Sequence, residues 1–263
     1  MKKLMRKISA VQELDRWYKR FFDSKIFVDD FIKSDPVQFP RRYSKRADVE
    51  IAAFLAATIA WGRRDLIIRS AEKMFALMGG GPAAYVMSDG SRAGNHVGNH
   101  VGNQKGVCIH RTFFEDDLRY FCKGFTHCYA KYGNLENLFC ADADIWQGIA
   151  LFREEMAAAN GGLYTKHIAN PEAGSACKRI NLALRWLVRK GPADIGLWKK
   201  ILPAALHIPL DVHVARTARK LGLLSRKSND KKAVIELTEN LRKFCPEDPV
   251  KYDFALFGIG IES

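Results

Sequence analysis

The chain has 263 residues, 48% of them hydrophobic, and a formal net charge of +13 from 42 lysines and arginines against 29 acids. That length and apolar content allow a sizeable core and exclude a disordered chain. Charges interrupt every apolar run before the roughly 20 residues that cross a bilayer, and no signal-peptide pattern follows the basic MKKLMRKISA, so a cytoplasmic protein without membrane attachment is expected.

Apolar periodicity and Gly/Pro punctuation predict an all-α chain. Residues 11–22 carry apolar and aromatic positions near helical spacing. In ADVEIAAFLAATIAWGRR, Asp48 is placed to cap a helix that is almost wholly apolar over 51–61, as a central buried helix would be. Gly62 ends it, and LIIRSAEKMFALM resumes a helix over 65–77 before GGGP breaks the chain at 79–82. GNHVGNHVGNQKG then reads as an exposed loop, an insertion at about 90–106 in a single domain spanning 1–263. His96 and His100 stand four apart within it, without a helix or a third ligand to complete a site. No metal and no other cofactor is expected.

Further helices are predicted over 112–132, 135–139, 144–159, 175–188, 195–202, 212–221 and 230–244. Asp194, in the GPADIG turn, is a candidate cap. CIH and FTH read as too short for a sheet. The six cysteines, at 108, 122, 128, 140, 177 and 245, form no CxxC pair and read as free, buried thiols.

The basic excess is concentrated. Residues 174–232 hold 14 lysines and arginines against three aspartates, a net +11 and the electrostatic footprint of a polyanion partner. Within this region Asp211 opens a basic amphipathic helix, where an acid would cap free N–H groups and favour the positive dipole end. The same helix start, with His213, Arg216, Arg219 and Lys220, offers donors to phosphate, which an acid repels; such a conflict between local signals is expected where chemistry is done. Upstream, Gly174 and Ser175 open a helix carrying Lys178 and Arg179 in its first turns, with Ile180, Leu184, Leu187 and Val188 on its apolar face. A lysine near a helix N-terminus, if also buried, tends toward the neutral amine that a nucleophile requires; exposed, it is one more charge on a basic face.

PLDVHVARTARKLGL resembles the aspartate segment of the helix-hairpin-helix base-excision DNA glycosylase superfamily: an acid, then Val and His, then a basic helix ending in a hydrophobic turn. ADVEIAAFLAATIAWGRRDLIIRSAEKMFAL is similar to that superfamily's early buried helix and following turn, which line the lesion pocket. The segments occur in the family's order, with the lysine segment between them. The 33-residue interval from Lys178 to Asp211 is closest to the archaeal 8-oxoguanine glycosylase-like branch. The whole chain also resembles an uncharacterised bacterial protein family.

Departures are specific. The hairpin LPGVGxK is absent, and PEAGSACK has two residues too many between Gly and Lys. Lys190, 21 residues before Asp211, is the alternative nucleophile. Only Cys245 follows Asp211, so the four-cysteine cluster of some relatives is missing. The resemblance implies a two-lobed helical glycosylase-like fold with a helix-hairpin-helix element. It implies a DNA repair glycosylase, with AP lyase activity where a lysine attacks the sugar, acting on a damaged base such as an oxidised one in duplex DNA. Lys178 and Asp211 would be catalytic, Gly174, Ser175, Arg179, His213 and Arg216 would bind DNA, and Trp61 would line the base pocket. Two other readings stay open: a non-catalytic nucleic-acid-binding module on the same fold, and a helical scaffold for an acidic protein partner.

Overall fold

The structure, a computed structural model, describes residues 2–79, 81–88, 106–141 and 144–262. Helices dominate: α1 (Lys2–Phe22), α2 (Lys25–Ser34), α3 (Arg46–Thr58), α4 (Arg64–Leu77) and α5 (Pro82–Met87) precede a small hairpin, β1 (Cys108–His110) and β2 (Phe113–Phe114). After it come α6 (Glu115–Tyr132), α7 (Leu135–Phe139), α8 (Ile145–Ala158), α9 (Lys178–Val188), α10 (Val212–Lys220), α11 (Lys231–Arg242) and α12 (Asp253–Glu262). No described helix is long and apolar enough to cross a membrane. The chain divides into two compact units, one of residues 1–31 with 170–263 and the other of residues 32–169. The predicted 90–106 insertion, with His96 and His100, falls almost entirely outside the described residues.

Residues 32–169 are built on α3, buried from Asp48 to Thr58 as its apolar run predicts. Phe54 of α3 meets Phe139 of α7 at 5.6 Å and Phe152 of α8 at 5.0 Å between ring centroids. Glu50, also in α3, is wholly buried and would be costly there without partners. It accepts from the Tyr129 hydroxyl (2.6 Å), the Leu135 N–H (3.1 Å) and Arg46 (3.1 Å), which tie α6 and α7 to α3. Asp48 does not cap its own helix, whose cap position is Lys45. Its carboxylate instead accepts the Ala83 N–H at 2.8 Å and so caps α5, across a gap of 35 residues that no local pattern reveals.

The hairpin also departs from expectation. CIH does form a strand, paired antiparallel with Phe113–Phe114, so α6 starts at Glu115 rather than 112. FTH lies within α6. Four of the six thiols are buried, while Cys108 is exposed and Cys140 intermediate; all are unbridged.

In the other unit, α9 is almost entirely buried, and its C-terminal carbonyls are capped by the chain that follows. Ile195 N–H bonds Trp186 O at 2.8 Å and Trp198 N–H bonds Leu187 O at 2.8 Å. Those amides are thereby spent, so the helix predicted over 195–202 does not form. Lys190 and Ile195 instead make an isolated antiparallel bridge across the Gly-Pro turn. Helix α12 carries two glycines in an apolar sequence, a pattern that argues against a helix on propensity alone. Packing overrides it: a Cβ at Gly258 would overlap the Trp17 ring of α1, and one at Gly260 would lie 2.7 Å from Thr217 Oγ1 of α10. The glycines let α12 lie flush against both neighbours. Gly258→Ala should therefore force α1 and α12 apart and lower unfolding stability by about 1–3 kcal/mol in a urea titration, the usual range for overpacking a core. An unchanged midpoint would show that the contact yields without cost.

Candidate active site

Asp211 is the N-cap of α10. Its Oδ1 accepts the N–H groups of His213 and Val214, each at 2.9 Å, while Oδ2 accepts no bond from a described residue. The capping expectation therefore holds, yet it uses only half of the carboxylate. Val212, immediately after, is largely exposed.

Lys178 is the first residue of α9 and is half-buried. The approach to it is shaped by Gly174 at φ +82° and by Cys177, a buried non-glycine residue in the left-handed region at φ +47°. A side chain in that region stores strain of order 1 kcal/mol or more, persisting only where the surroundings impose it. Here Ser175 pairs with Asp230, the Lys231 N–H bonds Gly174 O at 2.9 Å, and Ser175 Oγ accepts the Cys177 N–H at 3.3 Å. The N–H groups of Gly174 and Ser175 are donated to Pro171 O and Asn170 O, bonds that hold the turn before α9.

Arg185 lies seven residues, about two turns, after Lys178 on nearly the same face of α9. It is buried and pairs with Asp194 at 3.2 Å and with Asp253, the first residue of α12. Arg189 extends the network to Asp194 (2.8 Å), Asp248 (2.8 Å) and the Tyr18 hydroxyl (2.6 Å). Asp194, expected as a helix cap, is thus an ion-pair partner. Burial pushes the Asp253 carboxyl up to about 7; Arg185 opposes this, Asp211 reinforces it, Lys178 opposes it and Asp194 reinforces it. Lys178 and Asp211, far apart in sequence, therefore both lie within electrostatic reach of one buried carboxyl. Sequence reasoning did not find Asp253 or Arg185. The available signal was a single charge inside each of two apolar helical stretches, LALRWLV and DFALFGIG.

The remaining candidates divide. Burial pulls Arg179 below the usual arginine range, with Cys177 acting the other way. The exposed Arg216 uses one nitrogen on Gly260 O at 2.6 Å, tying α10 to α12. His213 sets its ring edge-on to Phe257 at 6.0 Å, with a buried Nδ1 that has no partner among the described residues. Lys190 is exposed beside its turn. Trp61 belongs to the other unit, half-buried, with its ring edge-on to His110 at 4.8 Å. His110 bonds the Trp61 carbonyl and Ser70 Oγ, each at 2.9 Å, and burial holds its pKa below the usual histidine range.

The basic count of this region also needs correction for burial. Arg185 and Arg189 are neutralised inside the fold, and Arg219 is occupied by the carbonyls of Arg226 (2.9 Å) and Lys227 (2.8 Å). Lys190, Lys227 and Lys232 are exposed, as are Lys199, Lys200 and Lys220, of which Lys199 donates through its Nζ to Gly196 O at 2.5 Å.

The half-used carboxylate gives a direct test. Asp211→Asn keeps an acceptor at the cap and should change stability by no more than a few tenths of a kcal/mol, whereas Asp211→Ala should lose about 1 kcal/mol. Equal losses in thermal unfolding would mean that the charge, rather than the acceptor, holds the helix start.

No curated protein and no solved structure matches the chain. A family model does, over residues 35–262, a span that takes in Trp61, Lys178, Asp211 and Asp253. The chain belongs to the family described as "Protein of unknown function (DUF2400)".

Proposed function

We propose that this protein is a DNA repair glycosylase with AP lyase activity, removing a damaged base from duplex DNA. The observation that carries the reading is the Asp211 carboxylate at the start of the basic helix α10, where Oδ1 caps the helix and Oδ2 accepts no bond from a described residue. It supports a site in which a carboxylate faces a cationic sugar amid groups that hold phosphate. The resemblance of both segments to the helix-hairpin-helix glycosylases favours an oxidised guanine as substrate.

The damaged nucleotide is turned out of the stack at a cost of about a few kcal/mol. The neutral amine of Lys178 attacks C1′, and the bond from C1′ to the base breaks. The base leaves with the electron pair and takes up a proton. Opening of the sugar ring at O4′ leaves an imine between Lys178 and C1′, from which elimination of the 3′ phosphate gives the lyase product. Asp211 keeps its negative charge near the cationic sugar of the transition state while its Oδ1 holds the helix. The exposed lysines and Arg216 hold phosphates. The acid in the basic segment thus serves the sugar, and the bases around it serve the backbone.

A non-catalytic DNA-binding module is the second reading, favoured by the capping bonds that already give Asp211 a structural purpose. Borohydride capture on lesion-bearing duplexes separates the two. Wild type should form a covalent adduct, Lys178→Gln should bind DNA without capture, and Asp211→Asn should slow base removal by orders of magnitude. Binding without capture on every lesion would leave the silent module.

Electrostatics gives an independent check. With about five phosphate contacts, the logarithm of affinity should fall against the logarithm of salt with a slope of roughly −4 to −5. A slope near zero for folded protein would remove DNA as the partner and leave the protein-scaffold reading.

A further inference from the structure

In the unit of residues 32–169, the turn between β1 and β2 lays Arg111 across the turn that follows α3. A Cβ at Gly62, a position held at φ +96°, would overlap Nη1 of Arg111 and lie 3.5 Å from its guanidinium carbon. The side chain therefore lies against the Gly62 backbone, in a space that glycine leaves open. Buried histidines fix the residues on either side of Arg111. His110 bonds the Trp61 carbonyl and Ser70 Oγ, each at 2.9 Å, and His167 Nε2 donates to Thr112 O at 3.1 Å. The Cys108 thiol adds a bond to Arg111 O at 3.2 Å.

Arg111 itself stands at φ +53°, one of two non-glycine residues in the left-handed region among the described residues. Asn or Gly would occupy that position at lower cost, and strain of this kind clusters where a side chain is put to use. The cations nearest in sequence to Gly62 are already answered. Arg63 pairs with Asp65 at 2.9 Å, Arg69 with the same carboxylate at 3.1 Å, and Arg64 with Asp35 at 3.6 Å. The guanidinium of the exposed Arg111 has no hydrogen-bond or ion-pair partner among the described residues. A planar fork of N–H donors with a full charge, held in place and left unanswered, is the complement of a phosphate.

We propose that Arg111, laid across Gly62, is a phosphate-binding residue that holds one phosphodiester of a DNA strand against the unit of residues 32–169. The inference rests on the DNA reading for the identity of the strand, and on the Arg111–Gly62 geometry for the site. Two N–H groups of the guanidinium meet two phosphate oxygens, so the contact orients the backbone as well as attracting it. It reads no base. It also lies outside the basic segment 174–232, and so adds a contact that the charge of that segment does not supply.

Fluorescence anisotropy of a labelled duplex, titrated with the full chain over a range of salt, tests the contact. Asn suits the left-handed position better than Arg, so Arg111→Asn should unfold at the wild-type temperature or above. Its affinity should fall about tenfold, as for one charge-assisted contact, and its salt slope should be smaller by about 1. Because a phosphate carries no sequence information, the loss should be equal on damaged and undamaged duplexes. Arg111→Lys should keep the slope and recover only part of the affinity, since a point charge replaces the fork. Arg111→Gln, which keeps a long side chain, gives the same reading if the Asn variant does not fold. A folded variant without the charge that matches wild type in affinity and slope overturns the proposal, whatever its stability. With a steep wild-type slope, that result leaves the glycosylase reading intact. A smaller slope in Arg111→Asn, with no borohydride capture by wild type, keeps the contact and removes the enzyme. A wild-type slope near zero overturns both.

Discussion

The Arg185 guanidinium, buried between Asp194 and Asp253, is the interaction on which one unit of this protein depends. Placing an arginine inside a fold is costly unless every donor and its charge are met, and removing one partner of such a pair typically costs about 3–5 kcal/mol. Arg185 meets the requirement by drawing the start of α12 to the middle of α9. The Phe254 ring lies 4.1 Å from its guanidinium carbon and closes one side of the group. Arg189 repeats the device one turn later, with Asp194 shared between them. Once α12 is fixed in this way, its glycines bring it against α10, whose first residue follows Asp211. The electrostatic relation of Lys178, Asp211 and Asp253 follows from that packing.

Legibility in the sequence followed the range of the interaction. Helix α7 was read at its exact residues, and α3, α10 and α11 within a few, because local periodicity and caps such as Asn134, Asp211 and Asp230 carry them. What was missed rests on distant partners. Helix α12 is unpromising by propensity and exists because Gly258 and Gly260 fit Trp17 and Thr217. The segment after α9 looks helical, yet its amides are committed to the carbonyls of Trp186 and Leu187. Asp48 and Asp194 look like local caps and serve partners elsewhere in the fold.

The candidate site shows the same division. Asp211 and its cap were visible because a helix start is a local event. The net charge of 174–232 was visible too, but a count of arginines does not say which are neutralised inside the fold. Asp253 could not be found from its neighbours in sequence, since its importance comes from what Arg185 brings near it. The single hint, a charge in an apolar helix, is a pattern shared by structural ion pairs and functional sites alike. Asp211 shows why the two are hard to tell apart: one oxygen satisfies the backbone, and the other is left over at the mouth of a basic helix.

The central claim is that the start of α9 presents an amine to a sugar. It is tested most directly by identifying the residue captured by borohydride on an oxidised-guanine duplex, through peptide mapping of the adduct. The account predicts that the sugar remnant is carried by the peptide containing Lys178. Attachment at Lys190 would move the nucleophile to the exposed turn and contradict the role given to α9; no adduct on any lesion would contradict the enzyme itself.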